Sequence, residues 1–210
     1  MDNYKAYAQL AILNGNGKPQ TNSVNLVIDN QNVTCELLQV KNNTQTGYQG
    51  YLYQNLETGE LYIVHSGSQS LDPGDAPLSD QNRSEVMNDY INNVVHSWVT
   101  GEIPPQFEDA YNFLHEVQSN PQYANCTKIQ IGQSLGGKLS ELTGACYLFK
   151  DIETITFNAA GAGLLLDKLA QYGSENTEFI TTLSGDYSNI SNYRYEEEYV
   201  GWVKPNNINN

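Results

Sequence analysis

The hydrophobic pattern of residues 1–65 predicts one helix followed by four strands. The helix covers residues 2–13, where apolar side chains recur on one side. The predicted strands are residues 24–28, 33–41, 47–55 and 60–65. From Gly47 to Gln54, Tyr alternates with polar residues, and a turn at residues 57–60 joins the last two strands into a hairpin.

The pattern changes along the rest of the chain. Apolar residues at helical spacing predict helices over residues 84–99 and 106–118, with a break at Pro104 and Pro105 between them. Strands and helices then alternate, with strands at 127–132, 152–158 and 178–184 and helices at 135–149 and 163–172. Such alternation is typical of parallel strands joined by right-handed crossovers.

Together these elements predict one α/β domain over residues 1–203. Its central sheet is expected to be mostly parallel, with antiparallel N-terminal strands and flanking helices. An antiparallel pair is a further interpretation of residues 192–203. Residues 204–210 have the composition of a linker, as expected where a downstream region follows.

The composition disfavours some partners and leaves others open. With a formal net charge of -14 over 210 residues, the surface should repel nucleic acid at long range. A lipid substrate and transient contact with a membrane surface are compatible with this charge, because apolar contact acts at short range. The three cysteines match no metal-ligand spacing and are expected to be buried or half-buried thiols. The N-terminus lacks the pattern of a signal peptide, so we expect a cytoplasmic protein or export by a leaderless route.

The most informative stretch for function is residues 128–137, which places Ser134 between Gly132 and Gly136. A predicted strand precedes this serine and a predicted helix follows it, as in a nucleophile elbow. A serine at such a turn is pushed out of the backbone, and glycines two residues away avoid collisions with the crossing elements. We therefore predict that Ser134 is a nucleophile; a tight-turn serine without chemistry is the alternative.

Attack by a serine also needs hydrogen-bond donors for the developing oxyanion. The first predicted donor is the backbone N–H of Leu135, at the N-terminus of the helix after the serine. The second is predicted in the loop at residues 64–70, where Gly67 allows a sharp turn and Ser68 offers an N–H and a hydroxyl. An ordinary Ser/Gly loop is the alternative for this segment.

Several segments resemble the class-three lipases, which are the fungal triacylglycerol lipase-like group of α/β-hydrolases, and their poorly characterised bacterial relatives. The matching segments are Ile63–Ser68, Gly132–Gly137, Ile155–Gly161 and, more weakly, Thr181–Asp186. The resemblance implies that an aspartate after the second strand beyond the elbow orients a catalytic histidine. Asp186 stands at that place, after predicted strand 178–184; a plain turn aspartate is the alternative, and Asp151 and Asp167 fit the role less well.

The chain departs from the family pattern in three ways. Gln133 stands where the family usually has His, and Ser66 stands where it usually has Arg. No histidine follows Asp186. The chain contains only His65, His96 and His115. Three explanations stay open: the histidine lies beyond Asn210 in a longer protein, an upstream histidine reaches the site, or the site is catalytically silent.

The predicted function is hydrolysis of a carboxylic ester, and the resemblance implies a lipid substrate, as for a lipase or phospholipase. Ser134 would attack, Leu135 and Ser68 would hold the oxyanion, and Asp186 would orient the histidine, with no metal or organic cofactor. In this family a lid helix follows the oxyanion loop, and residues 84–99 suit a lid as well as packing on the sheet. The alternative is a silent hydrolase-like module that binds a lipid or a protein partner. An acyltransferase or thioesterase would use the same machinery.

Overall fold

The computed structural model describes residues 3–15, 22–67, 102–159, 161–175 and 181–194. Within these ranges, seven strands form one sheet in chain order. The strands are β1 Ser23–Ile28, β2 Gln31–Asn43, β3 Tyr48–Asn55, β4 Leu61–His65, β5 Lys128–Gln133, β6 Glu153–Phe157 and β7 Ile190–Tyr193. The helices are α1 Tyr4–Gly15, α2 Phe107–Ser119, α3 Leu135–Gly144 and α4 Leu166–Glu175, with short 3₁₀ turns at Pro121–Tyr123, Tyr147–Phe149 and Gly163–Leu165.

The sheet is antiparallel in its first half and parallel in its second. β1 to β4 pair as consecutive antiparallel neighbours, and the predicted hairpin joins β3 to β4. From β4 to β7 every pairing is parallel, with α3 crossing from β5 to β6 and α4 crossing from β6 to β7. The predicted fold class is confirmed: an α/β sheet with antiparallel N-terminal strands, parallel later strands and flanking helices.

Each face of the sheet carries its own apolar core. On one face, α2, α3 and α4 pack against strand residues that include Leu52 and Ile63. On the other face, α1 packs through Leu10 against residues that include Val64. Ile63 and Val64 are neighbours on β4 and enter different cores, because successive side chains of a strand point to opposite faces. All of β4 is buried, so the strand that leads into the predicted oxyanion loop lies at the centre of the molecule.

One predicted strand is wrong over the residues that the structure describes. The described part of segment 178–184 forms only an isolated antiparallel bridge, between Cys146 and Leu183. The strand beside β6 is β7, which begins at Ile190 and runs parallel to it. The interpretation of residues 192–203 as an antiparallel pair is wrong for residues 192 and 193, which belong to the parallel strand β7. The residues after 194 lie outside the described residues.

The other predicted elements in the described ranges agree with the structure to within a few residues, except that the helix after Ser134 ends at Gly144 and a short 3₁₀ turn follows. The predicted helix at 84–99 lies outside the described residues. As predicted, the cysteines are buried or half-buried free thiols. None of the described helices is long and apolar enough to cross a lipid bilayer.

Candidate active site

Ser134 lies at a sharp turn between β5 and α3, where the parallel strands have their carboxyl ends. Its backbone has φ 52° and ψ -118°, a conformation that a residue with a Cβ adopts only when its surroundings enforce it. The Ser134 N–H donates to the carbonyl of Phe157 at 3.1 Å, and the Ser134 carbonyl accepts from the N–H of Lys138 at 3.0 Å. This strand–turn–helix geometry is that of a nucleophile elbow, so the fold is α/β-hydrolase-like.

The two glycines of the motif are required by close packing at the turn. A Cβ on Gly132 would lie closer than 3.0 Å to the backbone of Gly136, and a Cβ on Gly136 would collide in the same way with the carbonyl of His65. The first turn of α3 therefore passes directly over β4 and β5. No side chain could replace either hydrogen without moving the helix away from the sheet.

Ser134 is partly exposed at the start of α3. The ten residues of α3 are all buried, whereas Ser134, just before them, is only half-buried. The N–H of Leu135 is among the first N–H groups of the helix, which have no carbonyl partner within it. The structure therefore places the predicted nucleophile and the first predicted oxyanion donor next to each other at a helix N-terminus, where anions are stabilised.

The loop after β4 borders the elbow. A Cβ on Gly67 would lie 3.0 Å from the carbonyl oxygen of Gln133 and 3.8 Å from the Cβ of Ser134. Ser68, the second predicted oxyanion donor, lies outside the described residues. The role of Ser68 as an oxyanion donor stays a prediction. Gly67, the residue directly before it, borders Ser134.

Ser66, which stands where the family usually has Arg, anchors this loop. Its hydroxyl donates to the carbonyl of Asn14 at the end of α1 at 2.6 Å. Its N–H donates to the carbonyl of Gln49 on β3 at 2.9 Å. Hydrogen bonds from α1 and β3 thus hold the first residues of the loop at Ser66.

The structure does not bring Asp186 to Ser134. Asp186 precedes β7 and lies at the amino end of the parallel strands, whereas Ser134 follows β5 at their carboxyl end. The Asp186 carboxylate is exposed and accepts the N–H of Ser188 at 3.0 Å, which lowers its pKa. In this structure Asp186 is a turn aspartate at the opposite edge of the sheet from Ser134, so its placement does not support the predicted role, which stays a prediction. Asp151 also lies at the amino end, just before β6, and Asp167 lies exposed in the first turn of α4.

Of the two histidines in the described part of the chain, His65 points into the core. Its Nε2 lies 2.9 Å from Oε1 of Gln130 and its Nδ1 lies 2.8 Å from the Tyr48 hydroxyl. Because an amide oxygen only accepts, Nε2 carries the proton and Nδ1 accepts from Tyr48. Burial lowers the pKa of His65 to about 4, so the ring is neutral near pH 7, with both nitrogens engaged away from Ser134.

His115 lies at the opposite edge of the sheet from the elbow. It is exposed near the C-terminal end of α2, from which the chain returns to the beginning of β5. The same end of α2 reaches the region before β6, since Gln118 Nε2 donates to the carbonyl of Leu148 at 3.0 Å. His96 lies outside the described residues. Neither described histidine is therefore placed to take a proton from Ser134.

Two charged residues on α3 were missed by the sequence analysis. Glu141 is only 1% exposed, and its carboxylate accepts from the Thr156 hydroxyl at 3.1 Å and from the Ala162 N–H at 2.7 Å. Burial raises the pKa of Glu141 to about 7, although both hydrogen bonds and the charges of Arg194 and Lys138 act to lower it. Lys138 is 2% exposed, and burial lowers its pKa to about 8 while Glu141 acts to raise it. Their position in an otherwise apolar and small-residue helix is the signal that could have singled them out.

No known family model matches the chain, and no curated protein does. Similar solved structures include a triacylglycerol lipase from Penicillium expansum, with 14% identity, a TM-score of 0.37, and coverage of 75% of this chain and 55% of that one. A lipase from Yarrowia lipolytica has 18% identity and a TM-score of 0.44, with coverage of 74% of this chain and 57% of that one. A lipase from Rhizopus microsporus var. chinensis has 18% identity and a TM-score of 0.37, with coverage of 60% of this chain and 45% of that one. The chain thus spans about half the length of these structures. A likeness at this level carries no argument about substrate or about single residues.

Proposed function

We propose that the protein hydrolyses carboxylic esters with Ser134 as the nucleophile. The observation that carries the proposal is the backbone of Ser134, held at φ 52° and ψ -118° between two glycines that admit no side chain. Strain of this kind costs about 1–3 kcal/mol and clusters at active sites, where the surrounding fold maintains it. A glycine at position 134 would avoid this strain, so we infer that the serine hydroxyl has a function.

The chemistry follows from the groups around the turn. The Ser134 hydroxyl oxygen attacks the ester carbonyl while a base takes its proton, and the alcohol leaves with a proton from that base. The N–H of Leu135 donates to the oxyanion, and we assign the second donor to Ser68 from the sequence. One such donor is typically worth about 3–4 kcal/mol in the transition state. Water then releases the acyl group from Ser134 by the same steps in reverse order.

A lipid ester is the substrate class that we propose. The support is the sequence resemblance to class-three lipases at Ile63–Ser68 and Gly132–Gly137. The described part of the first segment forms the end of β4 and the residues that border the elbow, and the second segment contains the elbow itself. We also propose that the chain is a member of that family and a bacterial relative within it. Contact with a membrane surface would be transient, through apolar groups, because the net charge of -14 opposes anionic headgroups.

Hydrolysis of nitrophenyl esters with short and long acyl chains tests the function. We expect the wild-type chain to release nitrophenol with a preference for longer acyl groups, and Ser134→Ala to show no release above buffer. Ser119→Ala, at an exposed position at the end of α2, is the matched control and should retain full activity. Activity that persists in Ser134→Ala would contradict the proposal, and a folded wild type without activity would favour a silent binding module.

A further inference from the structure

The loop that borders the elbow begins at Ser66, which is held by the C-terminal end of α1. The Ser66 hydroxyl donates to the carbonyl of Asn14 at 2.6 Å. A hydroxyl has a single proton, so the Gly67 carbonyl, 3.3 Å away, is the weaker of its two acceptors. The Asn14 carbonyl belongs to the last turn of α1, where carbonyls have no N–H partner within the helix. The Ser66 hydroxyl therefore supplies a hydrogen-bond partner for the end of this helix.

Asn14 is itself held in place by the core. It is fully buried, and its side-chain Nδ2 donates to the carbonyl of Leu10 at 2.6 Å. Its Oδ1 accepts from the hydroxyl of Tyr53 on β3 at 2.9 Å. The end of α1 cannot move away from β3 without leaving buried polar groups unpaired, which is costly. Ser66 is therefore attached to a point that the sheet keeps in position.

On their other side, Ser66 and Gly67 are in close contact with the elbow. A Cβ on Gly136, in the first turn of α3, would lie 2.7 Å from the carbonyl carbon and oxygen of Ser66. A Cβ on Gly67 would lie 3.8 Å from the Cβ of Ser134. The Ser66 N–H donates to the carbonyl of Gln49 on β3 at 2.9 Å. These two loop residues thus lie between α1 and β3 on one side and the turn that carries the proposed nucleophile on the other.

We propose that Ser66 is a positioning residue, whose hydrogen bond to α1 sets the placement of the loop after β4 relative to Ser134. The inference rests on the proposed function, in which this loop supplies the second oxyanion donor at Ser68. Such a donor stabilises the transition state only where it reaches the position of the oxyanion. A misplacement of about 1 Å can cost about 100-fold in rate, even when the altered residue does not contact the substrate. Helix α1 thus takes part in catalysis without supplying a catalytic group.

The test is steady-state hydrolysis of a nitrophenyl ester by the 210-residue chain and by its Ser66→Ala variant. Each rate is divided by the folded fraction, which circular dichroism measures. We expect kcat to fall by about 10–100-fold while KM stays within about twofold, because oxyanion donors act on the transition state and not on bound substrate. A purely structural Ser66 would lower the folded fraction and leave kcat per folded molecule unchanged.

Thr181→Val is the matched control. The Thr181 hydroxyl is also buried and donates to a helix carbonyl, that of Leu169 on α4, at 2.8 Å. Thr181 lies beside Gly173 in the C-terminal half of α4, the half that leads to the amino end of the sheet. Its loss should lower stability in the way that Ser66→Ala does and leave kcat per folded molecule at the wild-type value.

Two further variants test the connection to α1. In Ser66→Cys the thiol fills nearly the same space but is a weak donor, so kcat should lie between those of the wild type and Ser66→Ala; it decides the question if Ser66→Ala does not fold. Asn14→Ala removes the hydrogen bond to Tyr53 and keeps the Ser66 hydroxyl, so it should also lower kcat with little change in KM. Because both changes act through one contact, their combined loss of kcat should be smaller than the product of the two single losses.

The outcomes distinguish this inference from the function on which it rests. An active wild type whose kcat per folded molecule is unchanged in Ser66→Ala, or whose KM alone changes, would overturn the role of Ser66 and leave the Ser134 nucleophile intact. Losses that multiply in the double variant would overturn the link through α1. A folded wild type that does not hydrolyse the ester would overturn the proposed function, and this inference with it.

Discussion

Acid should destabilise the fold through His65, beneath the elbow. The neutral ring accepts a hydrogen bond from Tyr48 and donates one to Gln130, so a proton added at Nδ1 removes an acceptor and leaves a buried charge. Burial lowers the pKa of His65 from 6.5 to about 4 in the folded protein. Between these two values the unfolded chain binds more protons than the native protein, so the free energy of unfolding falls as the pH falls.

The magnitude follows from the size of the shift. One pKa unit corresponds to about 1.4 kcal/mol, so complete protonation of His65 would cost about 3 kcal/mol. About 2–3 kcal/mol of this should be lost between pH 7.5 and pH 4.5. Glu141 has the opposite slope: burial raises its pKa from 4.5 to about 7, so the native protein holds the extra proton in that window and gains stability as the pH falls. The absolute stability curve therefore hides the contribution of His65, and a difference between two variants is needed.

Denaturant unfolding of the wild type and His65→Gln at the two pH values provides that difference. Glutamine can keep a donor to Gln130 and does not titrate, but it leaves the Tyr48 hydroxyl without its acceptor, at a cost of about 1–3 kcal/mol at pH 7.5. The unfolding free energy of the wild type relative to the variant should then be about 2–3 kcal/mol lower at pH 4.5 than at pH 7.5. A gap that stays the same within about 0.5 kcal/mol would refute the argument, because the ring would then titrate at its ordinary pKa.

Three further changes test the packing and the strain. Ser134→Gly should be more stable than Ser134→Ala by about 1–2 kcal/mol in chemical unfolding, because only glycine adopts φ 52° and ψ -118° without strain; equal stability would contradict the strain. Gly136→Ala should lower the free energy of unfolding by about 1–3 kcal/mol or more and abolish ester hydrolysis, because the added Cβ would collide with the carbonyl of His65. A fully active and stable variant would contradict this packing. Glu116→Gln should cost less than about 1 kcal/mol, because the 2.7 Å ion pair with Lys41 joins side chains that are 40% and 50% exposed; a larger loss would show that this pair is coupled to the core.

The elbow could be predicted from sequence because its constraints are local. Gly132 and Gly136 are needed where one helix turn passes over two strands, and that requirement is encoded within five consecutive residues. The antiparallel hairpin of β3 and β4 was predictable for the same reason, from alternation and a turn at Gly59, which has φ 75°. In each case the residues that set the geometry are neighbours in the chain.

The last strand and the position of Asp186 could not be predicted in this way. Segment 178–184 has the Thr and apolar composition of a strand, whereas Ile190–Tyr193 is short and polar. β7 owes its conformation to pairing with β6, an interaction between residues far apart in sequence. Because the last parallel strand is Ile190–Tyr193, Asp186 precedes it and lies at the amino end of the sheet. The prediction places Asp186 after the strand, at the carboxyl end.

Lys138 and Glu141 were missed because charged residues are usually exposed. A helix that is buried on every side places even its charged positions in the interior, and this burial depends on the sheet, α2 and the segment after β6 together. Their environment is therefore a property of the whole fold.

The most direct test of the account is to map fluorophosphonate adducts by mass spectrometry on the intact, folded chain. The account predicts a single adduct on the peptide that contains Ser134, and its loss both in Ser134→Ala and after unfolding. A folded wild type that acquires no adduct, or an adduct that persists in Ser134→Ala, would contradict the claim that the strained serine at the start of α3 is a nucleophile.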